Sequence, residues 1–232
     1  MSTEQGSDDV GRIRDGTGGP ALRSETSRLL AFSDGVFAII ITLLVLDLQP
    51  PRVARGQLLH ALVEQWPAYL AYVTSYLLVA ITWLNHRAAF HRVAGSGKGL
   101  QWCNLGVLFT TALLPFATSI VSQAVRQGDR ADERTGVVLY GLAGMLLSAS
   151  WLVLYHYLTR RHDLVDPAVS RGFFPAERAR AAVGILGYGL AALIGFFTDP
   201  LFALTIFLLL PIFFSLTSSG LYELHRLRHR RG

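Results

Sequence analysis

The chain of 232 residues is 51% hydrophobic and only 16% charged, with a mean hydropathy of +0.39. Soluble domains carry about 25% charged residues, so this composition argues against a soluble enzyme, a secreted disulfide scaffold and a nucleic-acid-binding domain. The net charge of +5 comes from 21 basic residues, all but one of them arginine, which cluster between apolar segments. Such clustering indicates the orientation of a membrane protein and no nucleic-acid partner.

Six apolar runs follow an N-terminal segment that has five glycines and no apolar block, and we expect a disordered tail over residues 1–27. Each run is able to cross a hydrocarbon core of about 30 Å as a helix of about 20 residues. The runs lie near Ala31–Leu48, Pro67–Phe90, Leu100–Ala124, Thr135–Thr159, Ala176–Phe197 and Pro200–Glu223. The expected fold is therefore all-α, with six transmembrane helices over residues 28–224 and a basic tail over residues 225–232.

Two connections between the runs have predicted structure of their own. Apolar residues before Trp66 favour a short interfacial helix after the first run. Only Thr198 and Asp199 separate the fifth run from the sixth, and Pro200 suits the first position of a helix. The last two runs should therefore form a tight antiparallel hairpin.

The distribution of basic residues predicts the orientation. Six crossings place both termini on one side, and the segments on that side hold 16 lysines and arginines against 5 on the other. The positive-inside rule then puts both termini in the cytoplasm of a multi-pass protein of the cell membrane.

The first run carries an acid, Asp34, about one turn inside the membrane, with Ser33 beside it. Such a group is costly in lipid and usually faces protein or water. At 100° per residue, Ile39, Leu43 and Leu46 fall within about 60° of one another, while Asp34 points about 140° away from Ile39. The helix therefore has an aliphatic stripe and a separate polar spot. On the residues alone, a stripe that faces lipid and a merely structural acid remain an open alternative.

Polar residues of the next two runs lie toward the same membrane side as Asp34. Asn85 and His86 come at the end of the second run, and Asn104 at the start of the third. Hydrogen-bonding groups at one depth on neighbouring helices can satisfy a buried carboxylate, which hydrocarbon cannot do. We therefore expect them to form one network with Asp34, the alternative being interfacial residues at helix ends.

A set of short motifs carries a resemblance to a known family. The first run opens with four residues in fixed spacing: Arg28, Phe32, Ser33 and Asp34. This pattern, leading into an Ile/Thr/Leu-rich helix that ends in an acid, resembles the signature of the transmembrane protein 175 family, which comprises potassium channels of endolysosomes and prokaryotes. The second and third helices of that family are similar to Trp83-x-Asn85-His86 and to Trp102-x-Asn104-Leu followed by Leu114-Pro115-Phe116. Arg87 departs from the pattern, which has a second histidine in many relatives.

The resemblance implies a six-helix subunit whose first helix lines a pore, with potassium as the permeant ion and no cofactor. It implies a hydrophobic constriction at Ile39, Leu43 and Leu46, and at Thr42 a hydroxyl layer linked to selectivity. The motif residues implied to anchor the pore helix are Arg28, Phe32, Ser33 and Asp34. To this anchoring network we add the three polar residues at the same depth: Asn85, His86 and Asn104.

An oligomer is a physical requirement of this interpretation. One helix cannot enclose a pore, and the chain has a single copy of the motif. The family implies a homotetramer, so the expected partners are further copies of the chain, membrane lipid and potassium ions. A ring of branched aliphatic side chains can dewet a narrow pore and so close it.

Other functions remain open on the sequence. A proton- or solute-coupled carrier could use Asp34 and His86 as a titrating pair, although such carriers are expected to show inverted repeats or broken helices, which the runs do not reveal. A non-conducting scaffold is a third possibility. The sequence has no Ser/His/Asp order, paired catalytic carboxylates or metalloprotease motif, so we do not expect an enzyme.

Two local patterns receive a structural interpretation. The triplet Gly187-Tyr188-Gly189 is similar to part of a conventional potassium filter. It lies in the middle of the fifth run, however, and no pore half-helix precedes it. We therefore expect a continuous helix in which Gly187, Ala191 and Gly195 form a small-residue packing face. His225 and His229 stand four residues apart in an arginine-rich segment, which favours a basic tail near anionic lipid over a metal site.

Overall fold

A computed structural model of the chain describes residues 20–217, with side chains from Glu25 onward. Its α-helices are α1 Pro20–Leu43, α2 Leu58–Glu64, α3 Trp66–Phe90, α4 Lys98–Ala112, α5 Leu114–Gln127, α6 Arg130–Arg160, α7 Phe173–Phe197 and α8 Pro200–Thr217. A 3₁₀ turn at Leu44–Asp47 extends α1, and another follows α6 at His162–Leu164. The basic tail predicted over residues 225–232, with its two histidines, lies outside the described residues, as do residues 1–19.

Six segments of the described chain are long and apolar enough to cross a membrane, which confirms the predicted all-α class and number of spans. They are Glu25–Asp47, Trp66–Phe90, Lys98–Gln127, Arg130–Arg160, Phe173–Phe197 and Pro200–Thr217. The first helix begins at Pro20, inside the tail expected over residues 1–27. Proline is well suited to the first turn, where its missing N–H is not needed, and Ala21, Leu22 and Arg23 have high helix propensity. The helix therefore extends beyond the apolar segment.

The third span is divided into α4 and α5 at Leu113, where the sequence predicted one continuous run. Pro115 has no N–H to donate to the carbonyl of Thr111, and its ring crowds that carbonyl. The chain tightens at this point, with the Leu113 N–H donating to the carbonyl of Thr110 at 3.4 Å. As a result, α4 packs beside the body of α1, and α5 packs beside the 3₁₀ turn at its end.

The short connections have the predicted structure. The segment before Trp66 contains the short helix α2, and only Thr198 and Asp199 separate α7 from α8. The Asp199 carboxylate accepts from the Leu201 N–H at 2.9 Å, and the Thr198 hydroxyl donates to the carbonyl of Ile194 at 2.7 Å. These bonds satisfy backbone groups at the turn, so the two helices reverse direction tightly.

Small residues let α7 and α8 approach closely. A Cβ placed on Gly195 would lie 2.5 Å from the Cβ of Ala203, and one on Gly187 would lie 2.8 Å from Leu210. The Gly187-Tyr188-Gly189 triplet lies within the continuous helix α7, as predicted, and Ala191 is fully buried. A helical backbone uses its own carbonyls, which excludes a carbonyl filter at this triplet.

The loops at residues 91–97 and 161–172 lie at the same end of the bundle as the start of α1, which we call the tail-side end. An antiparallel bridge joins these loops at Val93 and Val165, and the Ala94 N–H donates to the carbonyl of Leu164 at 2.8 Å. The central core is aromatic, with Tyr140 and Tyr188 both packed against Phe207 at ring-centroid distances of 4.9 and 5.7 Å. By contrast, α1 lies at the periphery against α3, α4 and α5.

Candidate functional site at the first helix

One face of α1 and its 3₁₀ extension is buried against the rest of the subunit. Ser33, Phe37, Ile40 and Leu44 recur at spacings of three and four residues and are at most 3% exposed. Such spacing places side chains on one side of a helix. This face fixes the helix against α3 and α4.

The opposite face of α1 is uncovered and aliphatic. Ile39 is 60% exposed, Leu43 44% and Leu46 68%. At the edge of this stripe the Thr42 hydroxyl donates within the helix, to the carbonyls of Ala38 at 3.1 Å and Ile39 at 2.8 Å. The predicted constriction residues therefore share one face, which the rest of the described chain leaves uncovered.

A chain of side-chain hydrogen bonds holds α1 to its neighbours at the tail-side end. The Ser33 hydroxyl donates to the carbonyl of Leu29 at 2.9 Å and accepts from the Asn104 Nδ2 of α4 at 3.0 Å. Asn104 Oδ1 in turn lies 2.6 Å from the Nε2 of His86 on α3. Ser33, His86 and Asn104 are all fully buried. In a medium without water such groups must satisfy one another, so the chain fixes the relative positions of three helices.

Aromatic rings enclose the imidazole of His86. It stacks on Phe90 at a centroid distance of 4.2 Å and meets Phe37 of α1 edge-on at 5.3 Å. Trp151 of α6 approaches the same ring at 6.2 Å. His86 thus contacts α1 both through the hydrogen-bond chain and through Phe37, and its ring lies near Trp151 of α6.

The carboxylate of Asp34 has a partner that the sequence analysis did not identify. The Trp83 indole Nε1–H donates to Asp34 Oδ1 at 2.8 Å. Trp83 lies three residues before His86, so both project from the same side of α3 toward α1; this spacing is the signal that could have found it. The guanidinium of Arg87, the residue that departs from the family pattern, lies over the Trp83 ring at 5.2 Å, within the range of a cation–π contact.

Asp34 and Trp83 line a groove between α1 and α3 with a volume of about 360 Å³. Its remaining walls are mainly apolar: Phe37, Ala38, Ile41, Tyr76, Val79 and Ala80. A carboxylate beside such a groove is costly in lipid unless protein covers it.

The other predicted anchoring residues take different positions. Arg28 is exposed and Phe32 is 54% exposed, on parts of α1 that the described chain leaves uncovered. Asn85 lines a cavity on the far side of α3, because successive residues of a helix point 100° apart and His86 faces α1. The structure therefore brings Ser33, His86 and Asn104 together beside Asp34, and places Arg28, Phe32 and Asn85 outside this cluster.

The two residues of the alternative carrier mechanism have separate partners. Asp34 accepts from Trp83, whereas His86 bonds to Asn104 and is closed off from solvent. Between residues 25 and 217, the structure contains no group of three histidine, cysteine or acidic side chains that could hold a metal ion. The hydrogen bonds of the site thus link α1 to α3 and α4.

Comparison with known proteins places this arrangement in a family. The family model described as "Endosomal/lysosomal potassium channel TMEM175" matches residues 28–115. A Streptomyces collinus protein named a potassium channel is 41% identical over 179 residues, which make up 77% of this chain and 86% of that protein. The chain belongs to the TMEM175 family.

Other TMEM175 proteins extend the comparison. The crystal structure of a lysosomal potassium-selective channel TMEM175 homolog from Chamaesiphon minutus superposes with a TM-score of 0.72 at 29% identity, covering 84% of this chain and 99% of that one. The mouse endosomal/lysosomal proton channel TMEM175 is 28% identical over 223 residues, which span 86% of this chain and 44% of the mouse protein. These relatives are channels and not enzymes. The matched residues 28–115 contain the whole predicted site, so the resemblance expected from the motifs is confirmed.

Proposed function

We propose that the chain is a potassium-permeable channel of the cell membrane, a homotetramer in which α1 lines the pore and Ile39, Leu43 and Leu46 narrow it. The observation that carries this proposal is the exposed aliphatic face of α1 on a helix whose opposite face is fixed by a buried polar network. Identity of 41% to a protein named a potassium channel supports the permeant ion.

The coverage of α1 supports an assembly of subunits. Within an apolar 18-residue stretch of each span, the buried share is smallest in the first span, at 22%, and ranges up to 50% in the others. The groove beside Asp34 also supports assembly, because a neighbouring subunit that covered it would keep the Asp34 carboxylate away from lipid. A closed ring of identical subunits would place four copies of α1 around one axis.

Gating by hydration follows from the chemistry of the stripe. Ile39 lies near the middle of the Glu25–Asp47 span, where an ion is hardest to keep hydrated. A ring of branched side chains there would expel water from a narrow pore, and a slight dilation would readmit water and potassium. The Thr42 hydroxyl, whose proton is used within the helix, would offer oxygen lone pairs next to the constriction. The charge distribution supports cytoplasmic termini, and no cofactor is required.

The test replaces a proposed constriction residue by a polar one. Ile39→Asn in purified protein reconstituted into liposomes is expected to raise potassium flux at least severalfold, because an amide keeps water in the constriction. The matched control is Leu186→Asn, which places the same amide on a side chain that is 73% exposed on α7, a helix that packs against α6 and α8. The control should leave the flux near that of the wild type. Unchanged flux in Ile39→Asn, or an equal rise in both variants, would contradict α1 as the pore helix.

A further inference from the structure

Three basic side chains lie together at the tail-side end of α6 and α7, and we call them the basic cluster. Arg160 ends α6, and His156 stands four residues before it, so the two share one side of that helix. Arg178 lies in the second turn of α7, and its Nη1 donates to His156 Nδ1 at 3.4 Å. His156 and Arg160 are exposed and Arg178 is half-buried. The cluster is therefore accessible from outside the subunit.

No acid balances the positive charge of the basic cluster. Among the described side chains, Arg160 and Arg178 form no ion pair with a carboxylate. Their nearest acidic neighbours along the chain, Asp163 and Glu177, pair with other arginines. Two guanidinium groups from two helices thus lie at one end of the bundle with their charge unmatched, which favours an anionic partner.

His156 adds a neutral hydrogen-bond donor to these charges. A guanidinium only donates, so the Nδ1 of His156 must accept from Arg178, and the proton of the imidazole is then on Nε2. Within the described part of the chain, this Nε2–H has no hydrogen-bond partner. Guanidinium groups and N–H donors are the groups that bind phosphate oxygens in proteins. The basic cluster therefore has the chemistry of a phosphate site.

The contact between α6 and α7 continues from the basic cluster toward the middle of the membrane. A Cβ placed on Gly189 would lie 3.3 Å from Met145 Sδ. Met145 lies about three turns before His156 on α6, and Gly189 lies about three turns after Arg178 on α7. In an antiparallel pair of helices these two contacts mark the same side of the interface.

Aliphatic side chains flank this line of contact. Leu146 and Val153 on α6 and Val183 and Leu186 on α7 are between 48% and 73% exposed, and we call them the α6–α7 face. Both helices are membrane spans, so this face meets lipid. At 1.5 Å per residue the segment from Leu146 to Arg160 extends about 21 Å, more than the roughly 15 Å of hydrocarbon in one leaflet. The apolar surface thus begins at the basic cluster and extends through that leaflet.

We propose that the basic cluster binds the headgroup phosphate of an anionic phospholipid whose acyl chains lie along the α6–α7 face. Arg160 and Arg178 pair with the phosphate, and the His156 Nε2–H donates to it. The apolar surface directly below the cluster favours a lipid over a soluble phosphate ester. A zwitterionic headgroup would bring an ammonium group toward the two arginines, which an anionic headgroup avoids. The site requires only that the chain spans a membrane, and it is independent of potassium conduction.

Native mass spectrometry of the full chain in detergent tests this site, because it resolves each bound lipid and yields a Kd for the first. The anionic probe is dioleoylphosphatidylglycerol, and the zwitterionic probe is dioleoylphosphatidylcholine, which has the same chains and a phosphate. The wild type should bind the anionic lipid more tightly. Arg160→Gln combined with Arg178→Gln should weaken its binding by roughly ten- to thirtyfold, since each arginine near anionic lipid contributes about fivefold. Binding of the zwitterionic lipid should change little.

Two further double variants are the controls. Arg160→Lys with Arg178→Lys keeps both charges and should bind the anionic lipid nearly as well as the wild type. Arg52→Gln with Arg55→Gln removes the same charge from exposed positions between the first and second spans, and it should leave the Kd unchanged. Equal weakening in this last variant would indicate general charge attraction and overturn the site. A lysine variant as weak as the glutamine variant would also overturn it.

A soluble competitor separates a lipid site from a free phosphate site. Glycerol 1-phosphate carries a phosphate ester without acyl chains, so a moderate molar excess should leave the anionic lipid bound. Displacement of the lipid would show that the α6–α7 face contributes nothing and would overturn the lipid as occupant. Equal Kd values for the two lipids in the wild type, or unchanged binding in the glutamine variant, would overturn the basic cluster as the headgroup site.

Discussion

His86 of α3 and Asn104 of α4 share the shortest link in the site, with Nε2 and Oδ1 2.6 Å apart. An amide oxygen only accepts hydrogen bonds, so the His86 Nε2 must carry the proton and its tautomer is fixed. The amide nitrogen of Asn104 then donates to Ser33 on α1. Each membrane helix satisfies its own backbone, which leaves side chains as the polar links between helices. Two side chains outside α1 are thus hydrogen-bonded in series to Ser33 of α1.

Substitutions that break the hydrogen bond between His86 and Asn104 should destabilise the protein, and their effects should not be additive. We expect Asn104→Leu and His86→Phe each to lower the free energy of unfolding by about 1–3 kcal/mol, because each leaves a buried polar partner unpaired. The double variant should lose clearly less than the sum of the two, since it removes both partners of the bond. His86→Phe keeps the stack on Phe90 and so isolates the hydrogen bond.

Unfolding in detergent, followed by tryptophan fluorescence, measures these three variants against the wild type. The coupling energy should reach roughly 0.6 kcal/mol or more, the average for a hydrogen bond between membrane helices. Energies that add within about 0.3 kcal/mol would contradict a direct bond between the two residues.

The sequence predicted which polar residues lie at one depth, but not which of them pair. Asn85 and His86, which are adjacent on α3, were expected in one network. A helix turns 100° per residue, so the two side chains point in different directions and only His86 faces α1. Trp83 was part of a recognised segment, but its bond to Asp34 depends on how closely α1 and α3 pack, which no local pattern contains. The hydropathy of the sequence, in contrast, was enough to predict the number and the approximate positions of all six spans.

Removal of the Asp34 carboxylate should impair assembly more than ion preference. Asp34→Ala leaves the Trp83 N–H without its acceptor, at a cost of about 1.5–3 kcal/mol for a bond to a charged group. We expect a reduced share of tetramer by size-exclusion chromatography with light scattering, and an unchanged potassium-to-sodium flux ratio in the tetramers that remain.

The control for Asp34 is an acid outside the membrane-spanning segments. Asp163 bonds to Arg161 at 2.8 and 2.9 Å on the exposed surface, and that guanidinium holds the pKa of the Asp163 carboxyl below its usual range. Asp163→Ala should leave assembly unchanged because water replaces the pair. Normal tetramers of Asp34→Ala that lose proton coupling alone would instead favour the carrier mechanism.

The hydroxyl of Thr42 should affect selectivity without affecting the fold. Thr42→Val keeps the shape of the side chain but removes the oxygen at the edge of the exposed stripe, and its bonds to Ala38 and Ile39 lie within the same helix. We expect a reduced preference for potassium over sodium, measured as the reversal potential under bi-ionic conditions. Thr42→Ser retains the oxygen and should keep the preference. Equal reversal potentials in all three proteins would contradict a hydroxyl layer in the pore.

Two differences between the expected and observed helices have local causes that hydropathy does not weigh. A window average treats Leu100–Ala124 as one run, although Pro115 removes a backbone donor in its middle and breaks it at Leu113. The polar residues after Pro20 lowered the apolar average below that of a span, yet they are compatible with a helix. The positions of prolines and the helix propensity therefore set the boundaries of the helices, whereas hydrophobicity sets the number of spans.

The hairpin of α7 and α8 should depend on the absence of a side chain at Gly195. A Cβ there would lie 3.2 Å from Val137 Cγ2 and 2.5 Å from Ala203 Cβ, and the Ala203 Cβ cannot move without shifting its helix. We expect Gly195→Ala to lower stability by about 1–3 kcal/mol through overpacking. Gly106→Ala on α4, where no atom lies within 4 Å of the added Cβ, is the control and should be neutral or stabilising by up to about 1 kcal/mol. Thermal unfolding of both variants in detergent measures the difference. Equal midpoints would show that α7 and α8 can separate enough to admit a methyl group, and that their close contact is not required for stability.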